Sequence, residues 1–267
     1  MGSNLPGLRV ALAQMSKPPI SAISSDAPEI ALIGGRLTLG VVRVGDTVRR
    51  PSKTSSRFVA ALLEYLERQG CSWAPRYLGR DSSGRDVLSY LPGHVPAKWR
   101  KFRDDQLRAA AAILRALHGA TDRSVLAPNG VVCHHDPGPN NFVFRDDVPV
   151  ALIDFDTAAA GAALEDLGYM AWSWCLSSNP LRGPFSVQAR QVRILADAYG
   201  ASERQRAQLP DAILERLERN VRFWSDRLEH PGDILTAAEK LPELAAWSKR
   251  ELQFIEAQRA ALARAME

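Results

Sequence analysis

The sequence predicts an α+β chain in two lobes, a small β-rich lobe holding one helix and a larger, mainly helical lobe. Three observations carry that expectation. Short apolar-alternating runs, separated by turns rich in Gly, Asp and Ser, fill residues 29–91. A single stretch of helical period, SSRFVAALLEYLERQG, interrupts them. From Leu164 onward, apolar residues recur at three- and four-residue spacings and helices dominate. At 267 residues, 46% hydrophobic and 24% charged, the chain is long enough to build two such lobes.

Taken in order, residues 1–28 are rich in Ser, Pro and Ala without a sustained period, and are expected to form a loosely held extension. GVVRVGDTVRRP reads as strand, Gly45-Asp46 turn, strand, with Val42 and Val44 alternating with Arg43 and Pro51 closing the run. The helix that follows has a serine cap, apolar residues at Val59, Leu62, Leu63 and Leu66, and a stop at Gly70. Two further strands lie around the Ser-Ser-Gly turn of YLGRDSSGRDVLSYLPG, bringing the first lobe to five short strands and one helix, ending at Leu91. Residues 92–267 form the second lobe. Its first helix, DDQLRAAAAILRALHGA, places Leu107, Ile113, Leu114 and Leu117 on one side and opens with Asp104 and Asp105. The clearest later helix runs from Asp211 to Glu229.

Several functional classes are excluded on composition. No apolar run approaches membrane-spanning length, and no convincing signal-peptide cleavage site follows the start. The formal charge of +4 comes from dispersed arginines, without the basic block of a nucleic-acid tail. Cys71, Cys133 and Cys175, odd in number and widely spaced, suit reduced thiols in a cytoplasm.

The chemistry concentrates in VVCHHDPGPNNFVF, residues 131–144. Adjacent His134 and His135 point to opposite sides of an extended backbone, which disfavours a shared metal ion. Cys133 occupies an apolar strand position and has only sequence neighbours as bases, so it reads as buried and inert. A third reading fits more residues. His134-x-Asp136-x-x-x-x-Asn141 has the spacing of a kinase catalytic loop, in which the aspartate accepts a hydroxyl proton and the asparagine oxygen meets magnesium. Asp154 follows at the end of the apolar run VPVALID, where a carboxylate can bind magnesium that bridges ATP phosphates.

HHDPGPNN followed by LIDFD resembles the aminoglycoside phosphotransferase family, relatives of protein kinases and of choline and homoserine kinases. VVRVGDTVRRP, VLSYLPG, ILRALHGA and LEDLGYMAW extend the resemblance over residues 34–174. It implies a bilobal, protein-kinase-like fold with ATP in the cleft, residues 29–91 forming the nucleotide-binding lobe. It also implies transfer of the γ-phosphoryl group to a hydroxyl of a small molecule. An aminoglycoside-type antibiotic is the leading acceptor, an endogenous alcohol, amino alcohol or sugar the second, and a silent nucleotide-binding protein a third reading. Asp136 would be the catalytic base, Asn141 and Asp154 the magnesium ligands, and His134 a brace for the loop. Ser89, Tyr90 and Leu91 would form the adenine hinge, and Gly34 and Gly35 a turn covering the phosphates. Two departures stand out. TVRRP offers arginine where kinases place lysine; strand alternation puts Val48 and Arg50 on one face, while counting back from Pro51 favours Arg49. Glu64 is the nearest candidate for the helix glutamate, and Asp156 is assigned a supporting role. Asp166 reads either as an internal structural acid or as a helix-start carboxylate. The helical tail has nearly as many basic as acidic residues, so no acidic surplus advertises a polycation site.

Overall fold

The computed structural model describes residues 27–32, 40–97, 100–230 and 238–267. Gly34 and Gly35, and most of the N-terminal extension, lie outside the described residues.

The small lobe is a five-stranded antiparallel sheet of order β1-β2-β3-β5-β4. Its strands are β1 (Ile30–Ala31), β2 (Val42–Val44), β3 (Thr47–Arg50), β4 (Tyr77–Arg80) and β5 (Asp86–Ser89). Gly45, with φ of 56°, makes the tight β2–β3 turn, where a side chain would be strained. Helix α1 (Ser56–Arg68) buries Val59, Leu62, Leu63 and Leu66, the stripe that the helical period predicts. Gly70, at φ of 75°, ends it. The serine at its start does not act as an N-cap. Ser56 Oγ instead accepts from Lys53 N at 2.9 Å and donates to the buried Asp86 carboxylate, tying α1 to β5.

In the large lobe, α2 (Asp104–Thr121) buries Leu107, Ile113, Leu114 and Leu117. Strand β6 (Val131–Cys133) pairs antiparallel with β9 (Ala159–Gly161), and between them the hairpin β7 (Phe142–Arg145) to β8 (Val148–Leu152) folds over a turn at Asp146 and Asp147. Four helices follow: α3 (Ala163–Cys175), α4 (Phe185–Tyr199), α5 (Glu203–Glu229) and α6 (Leu241–Met266). Helix α5 begins well before Asp211, because Ser202 and Gln205 form a capping box and Pro210 is accommodated inside the helix. One hydrophobic core runs from α1 through α2, β7 and α3 to α5 and α6. Tyr65 Oη donates to Ala120 O at 3.1 Å and Leu152 N to Trp73 O at 2.8 Å, joining the lobes beneath the cleft. Among the described residues, no helix is long and apolar enough to cross a membrane.

Candidate active site

Strand β6 delivers the chain into the loop that carries Asp136. A buried carboxylate, Asp166 at the start of α3, fixes the loop's backbone: it accepts from His134 N at 2.6 Å, His135 N at 2.7 Å and His118 Nε2 at 3.0 Å. Burial alone would raise its pKa. The His118 hydrogen bond and charge, with help from His134, outweigh that and hold the carboxyl below its ordinary value. Both readings the sequence leaves open for Asp166 hold: it lies in the first turn of α3 and is also an internal structural acid, buried and bonded to the loop.

His134 is fully buried. Its Nδ1 accepts from Asp136 N at 3.3 Å, which leaves Nε2 as the donor to Ile153 O at 3.0 Å. One imidazole therefore spans the loop and the segment that bears Asp154. Trp174 Nε1 donates to Pro137 O at 3.0 Å and holds the Pro-Gly-Pro corner from below.

The Asp136 carboxylate is held at both oxygens. Asn141 Nδ2 donates to Oδ2 at 2.9 Å and to Asp136 O at 2.8 Å, closing the turn that the spacing requires. Tyr169 Oη, from α3, donates to Oδ1. Burial, then the Asp136 charge, push the Tyr169 phenol well above its ordinary pKa, so it remains a proton donor. Asn141 itself lies in a 3-10 turn, Pro139–Asn141. Its backbone O accepts from Ile153 N at 2.8 Å, which sets Asn141 and the next strand's end side by side.

Asp154 stands just past β8 in a left-handed conformation, φ 64° and ψ 63°, and its side chain is 52% exposed. Because the strand stops at Leu152, alternation no longer governs where Asp154 and Asp156 point. Asp156 occupies the following 3-10 turn, bonds to Arg50 Nη1, and accepts from Lys53 Nζ at 2.6 Å. Desolvation by the surrounding protein, followed by the charges of Asp156 and Asp136, raises the Asp154 pKa, while the Arg50 charge opposes the rise.

Strand β3 corrects one expectation. Arg49, preferred by counting back from Pro51, turns to the other face, with Nη1 3.6 Å from Asp81 Oδ2. Arg50 faces the acids, its Nη1 4.0 Å from Asp154 Oδ1 and closer to Asp156. The reason is strand alternation: β3 pairs with β5 through Arg50, so successive side chains take opposite faces. Glu64 is also not brought to this cluster. Burial, then the Asp86 charge, raise the Tyr77 phenol's pKa, and Glu64 lies close enough to β4 for its charge to add a little to that rise. In the hinge segment, Ser89 N is bonded to Arg76 O at 2.9 Å and Tyr90 N to Asp46 O at 2.8 Å. The Arg43 guanidinium lies 3.9 Å over the Tyr90 ring. Cys133 and Cys175 are buried, and burial raises both thiols, Cys175 to about 12.

The site thus takes Arg50 and Lys53 from the small lobe, while its acids, Asn141 and Tyr169 lie between β6 and α3. Residues 120–210, which contain that part of the site, match the model of the phosphotransferase enzyme family. A trifolitoxin immunity protein of Rhizobium leguminosarum bv. trifolii is 32% identical over 211 residues, covering 70% of this chain and 79% of that protein. The chain belongs to the phosphotransferase enzyme family. This is the aminoglycoside phosphotransferase family that HHDPGPNN and LIDFD resemble. Solved structures share its bilobal, kinase-like fold. A choline/ethanolamine kinase family protein from Mesorhizobium loti superposes with a TM-score of 0.58 at 19% identity, over 92% of this chain and 95% of that one. Spectinomycin phosphotransferase, solved with ADP and spectinomycin, gives 0.60 at 11% identity, over 87% and 92%.

Tyr169, Lys53 and the Trp174 contact carry no motif of their own in the sequence. Tyr169 follows Asp166 by nearly one helical turn, so a helix reading that started at Asp166 would have turned it toward the same loop.

Proposed function

We propose that this phosphotransferase moves the γ-phosphoryl group of ATP to a hydroxyl of a small molecule. The observation that carries the reading is the convergence of Asp136, Asn141, Asp154 and Arg50, drawn from separate elements onto one cleft. Asp136, oriented by Asn141 and Tyr169, would orient the acceptor hydroxyl and receive its proton. Arg50, in place of a lysine, would clamp phosphate oxygens, and its planar fork suits two oxygens at once. With the Ser89 and Tyr90 amides already bonded, Leu91 is the hinge residue best suited to adenine.

Magnesium fits the donors present. The Asn141 amide oxygen and the Asp154 carboxylate are hard oxygen ligands. The mutual crowding of Asp154, Asp156 and Asp136 is a like-charge cluster that a divalent cation would relieve. When bound, the ion supplies charge neutralisation at the phosphate oxygens. The chain's own residues supply the rest: positioning by Asp136 and Asn141, and fixed charge from Arg50.

The acceptor is a small hydroxyl compound. The immunity protein among its relatives supports a protective role against an antibiotic or toxin. An endogenous alcohol, amino alcohol or sugar is the second reading, favoured by the choline/ethanolamine kinase family likeness. A silent nucleotide-binding role has less support, because Arg50 provides the cation whose place in the cleft was in question. The deciding experiment measures ADP release over a panel of antibiotics and small alcohols with ATP and magnesium. Asp136→Ala should abolish acceptor-dependent release while ATP affinity stays within about threefold. Normal turnover in that variant would sink the assignment.

A further inference from the structure

A partly open cavity of about 130 Å³ lies beside the catalytic loop, lined by His135, Glu165, Glu215, Arg216 and Arg219. Its walls come from the loop, the start of α3 and the middle of α5. Two contacts connect it to the proposed base. The Arg216 guanidinium lies 4.3 Å over the Tyr169 ring, and Tyr169 Oη donates to Asp136 Oδ1. At about 130 Å³ and partly open, it is somewhat smaller than the roughly 150 Å³ cavity that holds benzene, and it admits a compact group such as a carboxylate or a phosphate.

The pairing of charges in the walls is uneven. Arg219 Nη1 donates to Glu165 Oε2 at 3.0 Å, and Arg219 Nε donates to Glu215 Oε1. The other Glu165 oxygen accepts from Ala162 N at 3.0 Å. Both wall carboxylates are thus already paired with one arginine. Arg216 rests on a neutral phenol, and its buried Nε has no hydrogen-bond partner among the described residues. A cation entering the cavity must compete with Arg219 for Glu165 and Glu215. An anion meets Arg216 and displaces no ion pair.

His135 adds an independent observation. It sits at φ of 62°, the left-handed region, where a glycine would rest without strain and a side-chain-bearing residue costs about 1 kcal/mol. Its imidazole is nevertheless kept on the cavity wall, with Nδ1 3.0 Å from Thr157 O and Nε2 3.6 Å from Glu165 Oε2. Strain retained in a cavity wall points to use of the side chain there.

We propose that this cavity takes the acceptor and selects one bearing an oxyanion, a carboxylate or a phosphate, which docks on Arg216 while its hydroxyl lies at Asp136. The inference rests on the phosphotransfer reading above, and it disfavours a polycationic aminoglycoside.

The test uses probes on one sugar ring: glucuronate, glucose 6-phosphate, glucose and glucosamine, with kanamycin as the polycation. Binding is followed by calorimetry without nucleotide, and ADP release with ATP and magnesium. One of the two anionic sugars should bind about tenfold more tightly than glucosamine, and which of them does so distinguishes carboxylate from phosphate. Arg216→Gln should erase that preference and leave ATP affinity within about threefold. Glu215→Gln, which frees Arg219 from one carboxylate, should tighten the anionic probes and keeps the test alive if Arg216→Gln misfolds. Tighter binding of glucosamine or kanamycin, no binding of either anion, or an equal loss for all probes in Arg216→Gln would overturn the inference. ADP release with kanamycin alone would leave the phosphotransfer reading standing and remove this one. Anion binding without ADP release from any acceptor would leave the oxyanion preference standing and count against phosphotransfer.

Discussion

Replacing Asp166 by Asn tests how the loop that carries Asp136 is held. The carboxylate is fully buried and accepts three hydrogen bonds, two from the backbone N–H groups of His134 and His135 and one from His118. An amide of the same shape has one acceptor oxygen and turns an NH2 group toward at least one of those donors. Each bond to a charged acceptor contributes about 1.5–3 kcal/mol, but the three share one carboxylate and do not add. Breaking a buried pair costs about 3–5 kcal/mol, and that is the magnitude expected here. For a chain of this size each kcal/mol moves Tm by about 2–4 °C, so Asp166→Asn should melt roughly 6–20 °C below the parent. The pH dependence is a second constraint. Because the folded pKa of Asp166 is depressed, its contribution is present above the unfolded carboxylate value near 3.9 and is lost as pH falls through the folded pKa. The Tm gap between parent and variant should therefore be full at neutral pH and narrow below about pH 4. Calorimetric or fluorescence melts across that range provide the assay. A variant melting within about 2 °C of the parent at neutral pH, or a gap that does not narrow in acid, would refute the argument.

Three further predictions follow from the same contacts. Tyr169→Phe deletes a charge-assisted bond to Asp136 and should lower kcat roughly ten- to a hundredfold with ATP KM little changed; an unchanged kcat in steady-state assays counts against it. Arg50→Gln should raise the KM for ATP about tenfold or more, whereas Arg49→Gln should leave that KM alone and lower thermal stability through Asp81. Thiol titration of the native protein should leave Cys133 and Cys175 unreacted, with all three thiols appearing only in denaturant; rapid native reaction of Cys133 would contradict its burial.

The sequence made the loop legible because its geometry is local. Asp136, the Pro-Gly-Pro corner and Asn141 close a turn within a few residues, and the Asn141 side chain bonds both the backbone and the side chain of Asp136. The small lobe was legible for a similar reason: Gly45 and the Ser-Ser-Gly segment mark hairpins, and a helical stripe marks α1. What stayed hidden depends on long-range packing. The Tyr169 contact to Asp136 and the Trp174 contact to Pro137 each require α3 to lie beneath the loop. The spacing of LEDLGYMAWSW puts Tyr169 on the side of Asp166, but in a nearly all-buried helix it marks the face that meets the loop only once Asp166 is known to hold that loop. Helix α5 starts upstream of the Asp211–Glu229 stripe because Ser202 caps it and Pro210 is accommodated inside the helix.

The two arginines of β3 show where a family pattern and strand physics part. A count toward Pro51 treats sequence distance as position, but in a paired strand the facing is set by alternation. Val48, Arg49 and Arg50 lie opposite Leu88, Val87 and Asp86, so the register leaves Arg49 and Arg50 on opposite faces. Each face then has its own acid. Arg49 meets Asp81, which also takes Arg85 Nε at 2.8 Å and thereby fastens β3 to the β4–β5 hairpin. Arg50 reaches across to Asp154 and Asp156 of the large lobe. A one-residue slip of β3 would exchange the two, placing Arg50 against Asp81 and turning Arg49 to the cleft. The Asp81 contact thus works against such a slip, and Arg49 bears on the site by helping to keep its neighbour pointed at it.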